Sequence, residues 1–314
     1  MYPNATSTGG RTVHMLGIVN VRSGLGDPGL YDLARELTER GASLTLRFLG
    51  EHDDLQHLLE DADGYDRVIA VGGDGTISAV LYALRYRDIP VALYPAGTAN
   101  LFARNLGLPS DPAELAALAI QGVPTPLDLG ELDVNGGTGF FIMAGAGFDA
   151  ALMDRARALK PLLGEGAYIL AAAQNLQPQV ATFVLDLDGR HVTTQGIAVL
   201  LVNLARIQFD LEVTHGSDAR DGLLEVVVLR PAKVTGLLPA VWAALLDRIG
   251  NHSDRPGLEI HTARAIEVVA SPPLPLQYDG EVVPDTTPLR ARVLPRAALV
   301  VTPEGGLPAD VFPD

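Results

Sequence analysis

The chain reads RVIAVGGDGTISAVLYALR from Arg67 to Arg85. Arg67–Val71 has the apolar, β-branched character of a buried strand, and Thr76–Arg85 has the apolar spacing of a helix. Three glycines in the four intervening positions permit unusual backbone angles and close approach of a phosphate. The loop amides and the helix N-terminus supply partial positive charge for such an anion. This strand–loop–helix unit predicts phosphate or nucleotide binding rather than a simple tight turn, through Gly72, Gly73, Asp74, Gly75 and Thr76.

The same alternation of strand and helix continues on both sides of this loop. Asp27-Pro28 and Asp111-Pro112 each join an N-capping aspartate to a proline at the first helical position. The predicted strands are His14–Val21, Leu44–Phe48, Arg67–Val71 and Val91–Tyr94, and helical stretches separate them. This alternation predicts a parallel α/β sheet.

Another loop with ligand-binding residue types follows the fourth predicted strand. In a parallel sheet this loop lies at the same carboxyl edge as the glycine loop, and ligands bind at that edge. An ordinary capping loop also accounts for the segment when it is taken alone. Its candidate ligand-binding residues are Gly97, Thr98 and Asn100.

The loop after the first strand is a third candidate for phosphate contact. Gly24–Gly29 matches the G-x-G-x-x-G outline of a dinucleotide site, but Pro28 lies inside the pattern and disfavours that interpretation. A loop close to phosphate is the preferred interpretation, with Asn20, Ser23 and Gly24 as its candidates.

The sequence changes character after about Pro126. Short strand-like runs become frequent, and turn signals such as Asp188-Gly189 separate some of them. We predict a second, mainly antiparallel β domain, interrupted by helical stretches at Ala150–Ala158 and Tyr168–Asn175. The predicted strands are Phe140–Ala144, Thr182–Leu187, Ile197–Val202, Leu223–Leu229, Ile266–Val269 and Ala298–Val301.

Two acidic turns in this second domain carry further candidates. Asp279-Gly280-Glu281 places two carboxylates two residues apart, and a general base for a hydroxyl requires a carboxylate within hydrogen-bonding reach. A hairpin turn with solvated acids is the alternative. Asp218 and Asp221 flank a second turn and could hold a hard cation through oxygen ligands. A plain surface turn explains that segment equally well.

Composition limits the classes of function. The chain has 314 residues, no cysteine and a net charge of −15, which disfavours nucleic-acid binding and excludes cysteine nucleophiles and cysteine zinc sites. The longest mainly apolar stretch, Val234–Leu246, is shorter than the roughly 20 residues that cross a bilayer. No apolar leader follows Met1. We expect a cytoplasmic protein whose membrane contact is peripheral.

Taken together, these segments resemble one known family, the bacterial diacylglycerol-kinase-like lipid kinases. This family is related to the sphingosine and ceramide kinases and, more distantly, to NAD kinases. The resemblance covers nearly the whole chain, and the order of so many short motifs makes it specific. The segments that carry it are Asn20–Gly24, Gly72–Thr76, Pro95–Arg104, Phe140–Ala150, Lys160–Tyr168, Asp221–Leu223 and Asp279–Glu281.

The resemblance implies a two-domain fold of the kind found in NAD kinases and diacylglycerol kinases. It implies an N-terminal three-layer α/β domain that binds ATP, over residues 1–126 with about 290–314 returning to it. It also implies a C-terminal antiparallel β-sandwich for the lipid substrate, over residues 127–289. A homodimer is left open.

The resemblance also implies a reaction and a set of roles. On this resemblance, ATP is expected to transfer its γ-phosphoryl group to the hydroxyl of a diacylglycerol-like lipid alcohol at the membrane surface. Asp279 is then the base, with Glu281 nearby, and Asp74 orients Mg²⁺ or the hydroxyl, or is itself the base. Asp218, Asp221 and the Leu223 carbonyl match a structural Mg²⁺ site.

Two alternative functions remain open on the sequence alone. NAD kinases share the G-G-D-G-T loop, but they use an Asn-Glu pair on their substrate where this chain has Ser78-Ala79. A catalytically impaired nucleotide- or lipid-binding member of the family is the second alternative. It is motivated by Ala79 and by Leu101, which stands where the family commonly has aspartate.

Overall fold

The computed structural model describes residues 12–23, 26–97, 100–134, 136–147, 179–204, 206–207, 211–212, 218–230 and 257–303. The chain divides into two compact units. The N-terminal unit comprises Met1–Thr98, Leu108–Thr125 and Leu299–Gly306, and the C-terminal unit comprises Ala99–Gly107, Pro126–Ala298 and Leu307–Asp314. The predicted helices at Ala150–Ala158 and Tyr168–Asn175, together with the apolar stretch Val234–Leu246, lie outside the described residues.

Among the described residues, every helix precedes Val123, and strands make up the regular structure that follows it. The helices are α1 Pro28–Glu39, α2 Leu55–Leu58, a 3-10 turn Ala62–Gly64, α3 Asp74–Ala83, α4 Leu101–Asn105 and α5 Pro112–Gln121. The strands are β1 His14–Asn20, β2 Ser43–Leu49, β3 Arg67–Gly72, β4 Val91–Pro95, β5 Val123–Leu132, β6 Thr138–Phe140, β7 Met143–Ala146, β8 Ala181–Leu187, β9 Arg190–Gly196, β10 Ala198–Val202, β11 Arg206–Ile207, β12 Leu211–Glu212, β13 Leu224–Leu229, β14 Leu258–Ala263, β15 Ala265–Ser271, β16 Pro275–Tyr278, β17 Glu281–Thr286 and β18 Leu289–Thr302.

The N-terminal unit is built on a parallel sheet in the order β2-β1-β3-β4-β18. Met15 and Val19 of β1 pack with Leu30 of α1 in one apolar cluster, to which α5 also contributes. The alternate residues Leu16 and Ile18 are also fully buried. Because successive side chains of a strand point to opposite faces, both faces of the sheet are covered.

The two helices that begin with proline start where the sequence predicts them. The Asp27 carboxylate accepts a hydrogen bond from the Gly29 amide at 2.9 Å. The Asp111 carboxylate accepts bonds from the Ala113 and Glu114 amides at 2.9 and 3.1 Å. These bonds satisfy amides of the first helical turn that have no partner within the helix.

The C-terminal unit is a sandwich of two antiparallel sheets. One sheet has the order β14-β13-β10-β7-β16-β17. The other contains β18, β15, β8 and β9, with β5 paired to β18 and β6. Val199 and Val226 from the first sheet and Phe183 and Ile266 from the second belong to one buried cluster. The core of this unit therefore lies between the two sheets.

The chain crosses from one sheet of the sandwich to the other between β6 and β7. The prediction of a single strand at Phe140–Ala144 is wrong in this respect. The segment forms the end of β6 and the start of β7, separated by residues 141 and 142. The amides of these two residues donate to the Asp279 carboxylate.

The predicted fold class is confirmed: an N-terminal three-layer α/β domain precedes a C-terminal antiparallel β-sandwich. Within the described part of the chain, no helix has the length and apolar character that crossing a membrane requires.

Replacement of Gly130 by alanine tests the packing of β5 on β6. Gly130 lies opposite Phe140, and a Cβ at position 130 would overlap the Phe140 ring. We expect Gly130→Ala to lower the free energy of unfolding by about 1–3 kcal/mol through overpacking. Denaturant unfolding measures this change. Gly64→Ala is the control, because a Cβ at position 64 meets nothing within 4 Å. Equal losses of stability in the two variants would contradict the close packing of Gly130 on Phe140.

Candidate functional site

The glycine loop of the N-terminal unit joins β3 to α3 in a single step. Gly72 ends β3, Gly73 is extended with φ −81° and ψ 177°, and α3 begins at Asp74. A Cβ at position 72 would lie 2.7 Å from the Cβ of Thr76. Glycine is therefore required at position 72 by the close packing of the loop on the first turn of α3.

The second predicted loop lies directly beside the first. The Ala96 amide donates to the Gly72 carbonyl at 2.9 Å. A Cβ on Gly73 would lie 3.4 Å from the Cα of Gly97. The two loops are thus in backbone contact at the carboxyl ends of β3 and β4. Thr98, which was predicted to belong to this site, lies outside the described residues.

The loop after β1 reaches the same place through Asn20. The Asn20 Nδ2 donates to Thr76 Oγ1 at 2.7 Å, and its Oδ1 accepts from the Arg22 amide at 2.9 Å. The Ser23 amide donates to the Asn20 carbonyl at 3.3 Å. The structure therefore brings the described predicted residues of the N-terminal unit from all three loops to one edge of the parallel sheet. Gly24 lies outside the described residues, and Asn100 belongs to the C-terminal unit.

Gly75 has no packing role in this edge. It is exposed, and a Cβ at position 75 would meet nothing within 4 Å. Glycine in a helix costs up to about 1 kcal/mol relative to alanine. The first helical bond of α3 runs from the Ile77 amide to the Gly73 carbonyl, so the amide of Gly75 precedes the helical ladder. The missing side chain leaves this amide-rich turn open to an approaching anion.

In the C-terminal unit, Asp279 and Gly280 form the two-residue turn between β16 and β17. Both residues have positive φ, 43° for Asp279 and 84° for Gly280. Tyr278 and Glu281 pair directly across the turn. Two positive φ angles identify a type I′ turn, for which Asp-Gly is a favoured sequence. The predicted hairpin alternative is thus correct for the backbone.

The carboxylate of Asp279 is nevertheless not a solvated surface acid. Its Oδ2 accepts a hydrogen bond from the Phe141 amide at 2.9 Å, and its Oδ1 accepts from the Ile142 and Met143 amides at 2.9 and 3.0 Å. The Asp279 amide in turn donates to the Met143 carbonyl at 2.8 Å. Bonds to a charged acceptor contribute about 1.5–3 kcal/mol each, so this carboxylate is firmly oriented. Glu281, by contrast, is exposed.

The segment that holds Asp279 also packs on α4. The Phe141 and Phe102 rings are stacked, with centroids 4.7 Å apart and an interplanar angle of 4°. Asn100, a predicted ligand-binding residue, caps the N-terminus of α4 in the left-handed conformation at φ 48°. Within the C-terminal unit, the segment that is bonded to Asp279 therefore packs on α4, the helix that begins directly after Asn100.

The predicted metal turn is tied together by local bonds. Asp218 forms a bidentate pair with Arg220, at 2.7 and 2.9 Å. The Asp221 amide donates to the Asp218 carbonyl at 3.2 Å, and the Asp221 carboxylate accepts from the Leu223 amide at 2.8 Å. Within the described ranges, no three carboxylate or imidazole side chains are grouped as a metal site.

Asp128 is a third acid beside this turn, and it was not predicted from the sequence. It is fully buried in β5, and its carboxylate accepts from the Gly222 and Arg296 amides at 2.7 and 2.6 Å. Burial raises its pKa, and the Asp218 carboxylate raises it further, against the two amides. A single aspartate between Leu127 and Leu129 in a strand is the signal that could have revealed it.

The acids of this turn are partly desolvated. Desolvation raises the pKa of Asp221, and the neighbouring carboxylates of Asp218 and Asp128 add to the increase. Carboxylate and carbonyl oxygens are the ligands that Mg²⁺ prefers, so the donor types of Asp218, Asp221 and the Leu223 carbonyl suit the ion that the resemblance implies. In the structure, Asp218 is paired with Arg220 instead.

A cavity of about 590 Å³ opens elsewhere on the C-terminal unit and contains none of the predicted site residues. Its two arginines, Arg290 and Arg292, are paired with Glu267 and Glu131 at its wall. The predicted site residues therefore lie outside this cavity.

Two family profiles match the chain. The diacylglycerol kinase catalytic domain matches residues 14–132, and the YegS C-terminal NAD kinase beta sandwich-like domain matches residues 143–302. The chain belongs to the family of diacylglycerol kinases and YegS-like lipid kinases.

Several curated proteins are similar over most of the chain. A probable lipid kinase, YegS-like, from Pseudomonas fluorescens is 33% identical over 84% of this chain and 87% of its own length. A diacylglycerol kinase from Mycobacterium tuberculosis is 32% identical over 86% of this chain and 88% of its own. An uncharacterized protein from Synechocystis is 30% identical, and the match spans 77% of this chain but only 56% of that longer protein.

The fold also matches solved structures. A crystal structure of a diacylglycerol kinase from Bacillus anthracis superposes with a TM-score of 0.68 and 20% sequence identity, covering 95% of this chain and all of the other. At this identity the likeness establishes the fold alone.

Two glycines of the loop are expected to respond oppositely to alanine. Gly72→Ala should lower the free energy of unfolding by about 1–3 kcal/mol, because the new methyl group meets Thr76. Gly75→Ala should leave it unchanged or raise it by up to about 1 kcal/mol, because the helix gains propensity and nothing is displaced. Thermal unfolding of both variants measures the difference. Destabilisation by Gly75→Ala as large as that by Gly72→Ala would show that Gly75 is needed for packing.

Proposed function

We propose that this chain is an ATP-dependent lipid kinase that transfers the γ-phosphoryl group to the hydroxyl of a diacylglycerol-like lipid alcohol. The observation that carries the proposal is the Asp279 carboxylate, oriented by three amides in a chain that belongs to the diacylglycerol kinase family. Neither NAD phosphorylation nor a catalytically impaired role is favoured by the similar proteins.

The loops of the N-terminal unit are proposed to hold the phosphates of ATP. Phosphoryl transfer requires mainly positioning and neutralisation of charge. Gly73 and Gly97 keep the two loops in backbone contact, and the open side of Gly75 leaves the first turn of α3 accessible. Asn20, bonded to Thr76, supports the same turn from β1. Asp74, the acid in this turn, is proposed to orient the reacting groups.

Asp279 is proposed to be the general base. Its carboxylate is oriented by the Phe141, Ile142 and Met143 amides, and we assign to it the proton of the lipid hydroxyl. As the hydroxyl oxygen bonds to the γ-phosphorus, its proton passes to Asp279 and the bond to ADP breaks. A carboxylate held by backbone amides needs no reorientation for this transfer. Glu281 lies on the same hairpin and is proposed to assist.

Mg²⁺ is proposed to bind at the turn of residues 218–223. Asp218, Asp221 and the Leu223 carbonyl would hold it, with Arg220 giving up its pairing to Asp218. The ion would neutralise the repulsion among the acids of this turn, Asp128 included, and so stabilise the fold around them.

The lipid is proposed to reach the enzyme from a membrane surface by peripheral contact, in the cytoplasm. A diacylglycerol-like alcohol presents its hydroxyl at that surface. The carboxylate of Asp279 requires only a hydroxyl proton, so the other groups of the lipid determine its selection.

A kinase assay with the purified full chain tests the proposed reaction. We expect labelled lipid from γ-labelled Mg-ATP and at least one lipid alcohol in mixed micelles, and none from NAD. Asp279→Asn should lower kcat by about 10²–10⁴-fold, the usual contribution of a general base, with ATP binding retained. Asp285→Asn, on the exposed part of the same hairpin, is the matched control and should leave kcat unchanged. The proposal fails if ATP binds and no lipid alcohol is phosphorylated, or if NAD is the acceptor.

Unfolding with and without Mg²⁺, in the absence of ATP, tests the metal turn. A ligand that binds only the folded state at 100 times its Kd adds about 2.7 kcal/mol to the free energy of unfolding. We expect such a gain in the wild-type chain and its loss in Asp221→Asn. The control is again Asp285→Asn, which should retain the gain. An equal gain in Asp221→Asn would place the ion elsewhere.

A further inference from the structure

Asn203, which directly follows β10, carries a buried side-chain amide in the C-terminal unit. Its side chain is 2% exposed, and its Nδ2 donates to the Phe141 carbonyl at 2.8 Å and to the Asp128 carbonyl at 3.0 Å. These two acceptors fix the orientation of the amide, because a flipped side chain would place Oδ1 against two carbonyl oxygens. Asn203 lies outside the motifs identified in the sequence.

Two successive peptide groups lie between Asn203 and Asp279. The first has its Phe141 carbonyl bonded to Asn203 Nδ2 and its Ile142 amide bonded to Asp279 Oδ1. The second has its Ile142 carbonyl bonded to the backbone N–H of Asn203 at 2.9 Å and its Met143 amide bonded to Asp279 Oδ1. A peptide group that accepts a bond at its oxygen becomes a stronger donor at its nitrogen. The Asn203 side chain thereby strengthens the bond from the Ile142 amide to the Asp279 carboxylate, and the backbone amide of residue 203 strengthens the bond from the Met143 amide.

The side-chain amide of Asn203 is also connected to the turn of residues 218–223, through its hydrogen bond to Asp128. The Asp128 carbonyl accepts from Asn203, and the Asp128 amide donates to the Ala219 carbonyl at 2.7 Å. The Asp128 carboxylate accepts from the Gly222 amide. Asn203 therefore bonds directly to both the segment that holds Asp279 and the residue that holds the acidic turn.

The oxygen of the Asn203 side chain takes no part in these hydrogen bonds. Asn203 Oδ1 is buried and has no hydrogen-bond partner among the residues that the structure describes. A buried acceptor without a partner destabilises a fold. The value of the amide at this position must then lie in its two N–H donors, each of which meets a backbone carbonyl.

We propose that Asn203 is a positioning residue that sets the orientation of the Asp279 carboxylate and couples it to the acidic turn of residues 218–223. The effect on catalysis rests on the proposed function, because it requires Asp279 to be the base. The effect on the hydrogen bonds of the 141–143 segment does not depend on any activity.

Amide hydrogen exchange tests the coupling without an activity assay. In Asn203→Ala we expect the amides of Ile142 and Gly222 to exchange about tenfold faster than in the wild-type chain, whereas the Met143 amide should change less, because its peptide group is bonded by the backbone amide of residue 203, which the substitution keeps. Thr194→Val is the matched control, because Thr194 is a buried side chain of the same unit whose hydroxyl donates to Glu259 at 2.7 Å, outside this network. Unchanged exchange at these amides, or an equal increase in the control, would overturn the proposal. If Asn203→Ala does not fold, Asn203→Ser, which retains one donor, should still raise exchange at the same amides above that of the wild-type chain, and unchanged exchange in this variant would overturn the proposal.

Steady-state kinetics test the positioning role. We expect Asn203→Ala to lower kcat at least about tenfold with the KM for ATP unchanged, and Thr194→Val to change neither. In an Asp279→Asn background the same substitution should cost less than about threefold, because residues that act through one another are not additive. A full additive loss in that background would mean that Asn203 acts independently of Asp279, and the proposal would be wrong.

The two measurements also separate the proposals from each other. Faster exchange in Asn203→Ala, in a chain that phosphorylates no lipid alcohol, would sustain the coupling and refute the proposed function. An active kinase in which Asn203→Ala changes neither exchange nor kcat would retain the function and refute the coupling.

Discussion

The hydrogen bonds between the Asp279 carboxylate and the amides of residues 141–143 are the constraint on which the C-terminal unit depends. They lie where the chain leaves one sheet of the sandwich and enters the other, between β6 and β7. At such a crossing the amides lose their strand partners, and buried amides without partners are costly. Asp279 supplies acceptors on one side, and Asn203 supplies donors to the carbonyls on the other.

This arrangement means that the structural and the proposed catalytic roles of Asp279 are compatible. The amides that stabilise the crossing also hold the carboxylate in one orientation, on a type I′ turn whose backbone is itself fixed by β16 and β17. A base placed in this way is positioned by the core of the sandwich rather than by a surface loop. The N-terminal unit contributes in a different way, because its loops present backbone amides and an open glycine at Gly75.

Local signals predicted much of this architecture. The glycine loop at Gly72, the aspartate caps at Asp27 and Asp111 and the Asp-Gly turn at Asp279 depend on neighbours within a few residues, so the sequence reveals them directly. The roles of Asp128 and Asn203 were not predicted, because their partners are distant in the chain. Asn203 bonds to a carbonyl 75 residues away. The break within Phe140–Ala144 was missed for the same reason, since its cause, the carboxylate of Asp279, is 138 residues from Phe141.

The strand order of the N-terminal sheet has a consequence for the synthesis of the chain. Its strands β1 to β4 are made early, but the strand that pairs with the free side of β4 is the end of β18, at Val300. Until the ribosome has translated that segment, β4 remains an edge with unpaired amides and carbonyls, and such an edge can recruit other chains. The nascent protein therefore carries an unpaired strand edge from the synthesis of β4, which ends at Pro95, until Val300 is made. Heterologous expression of the N-terminal segment alone would make that transient exposure permanent.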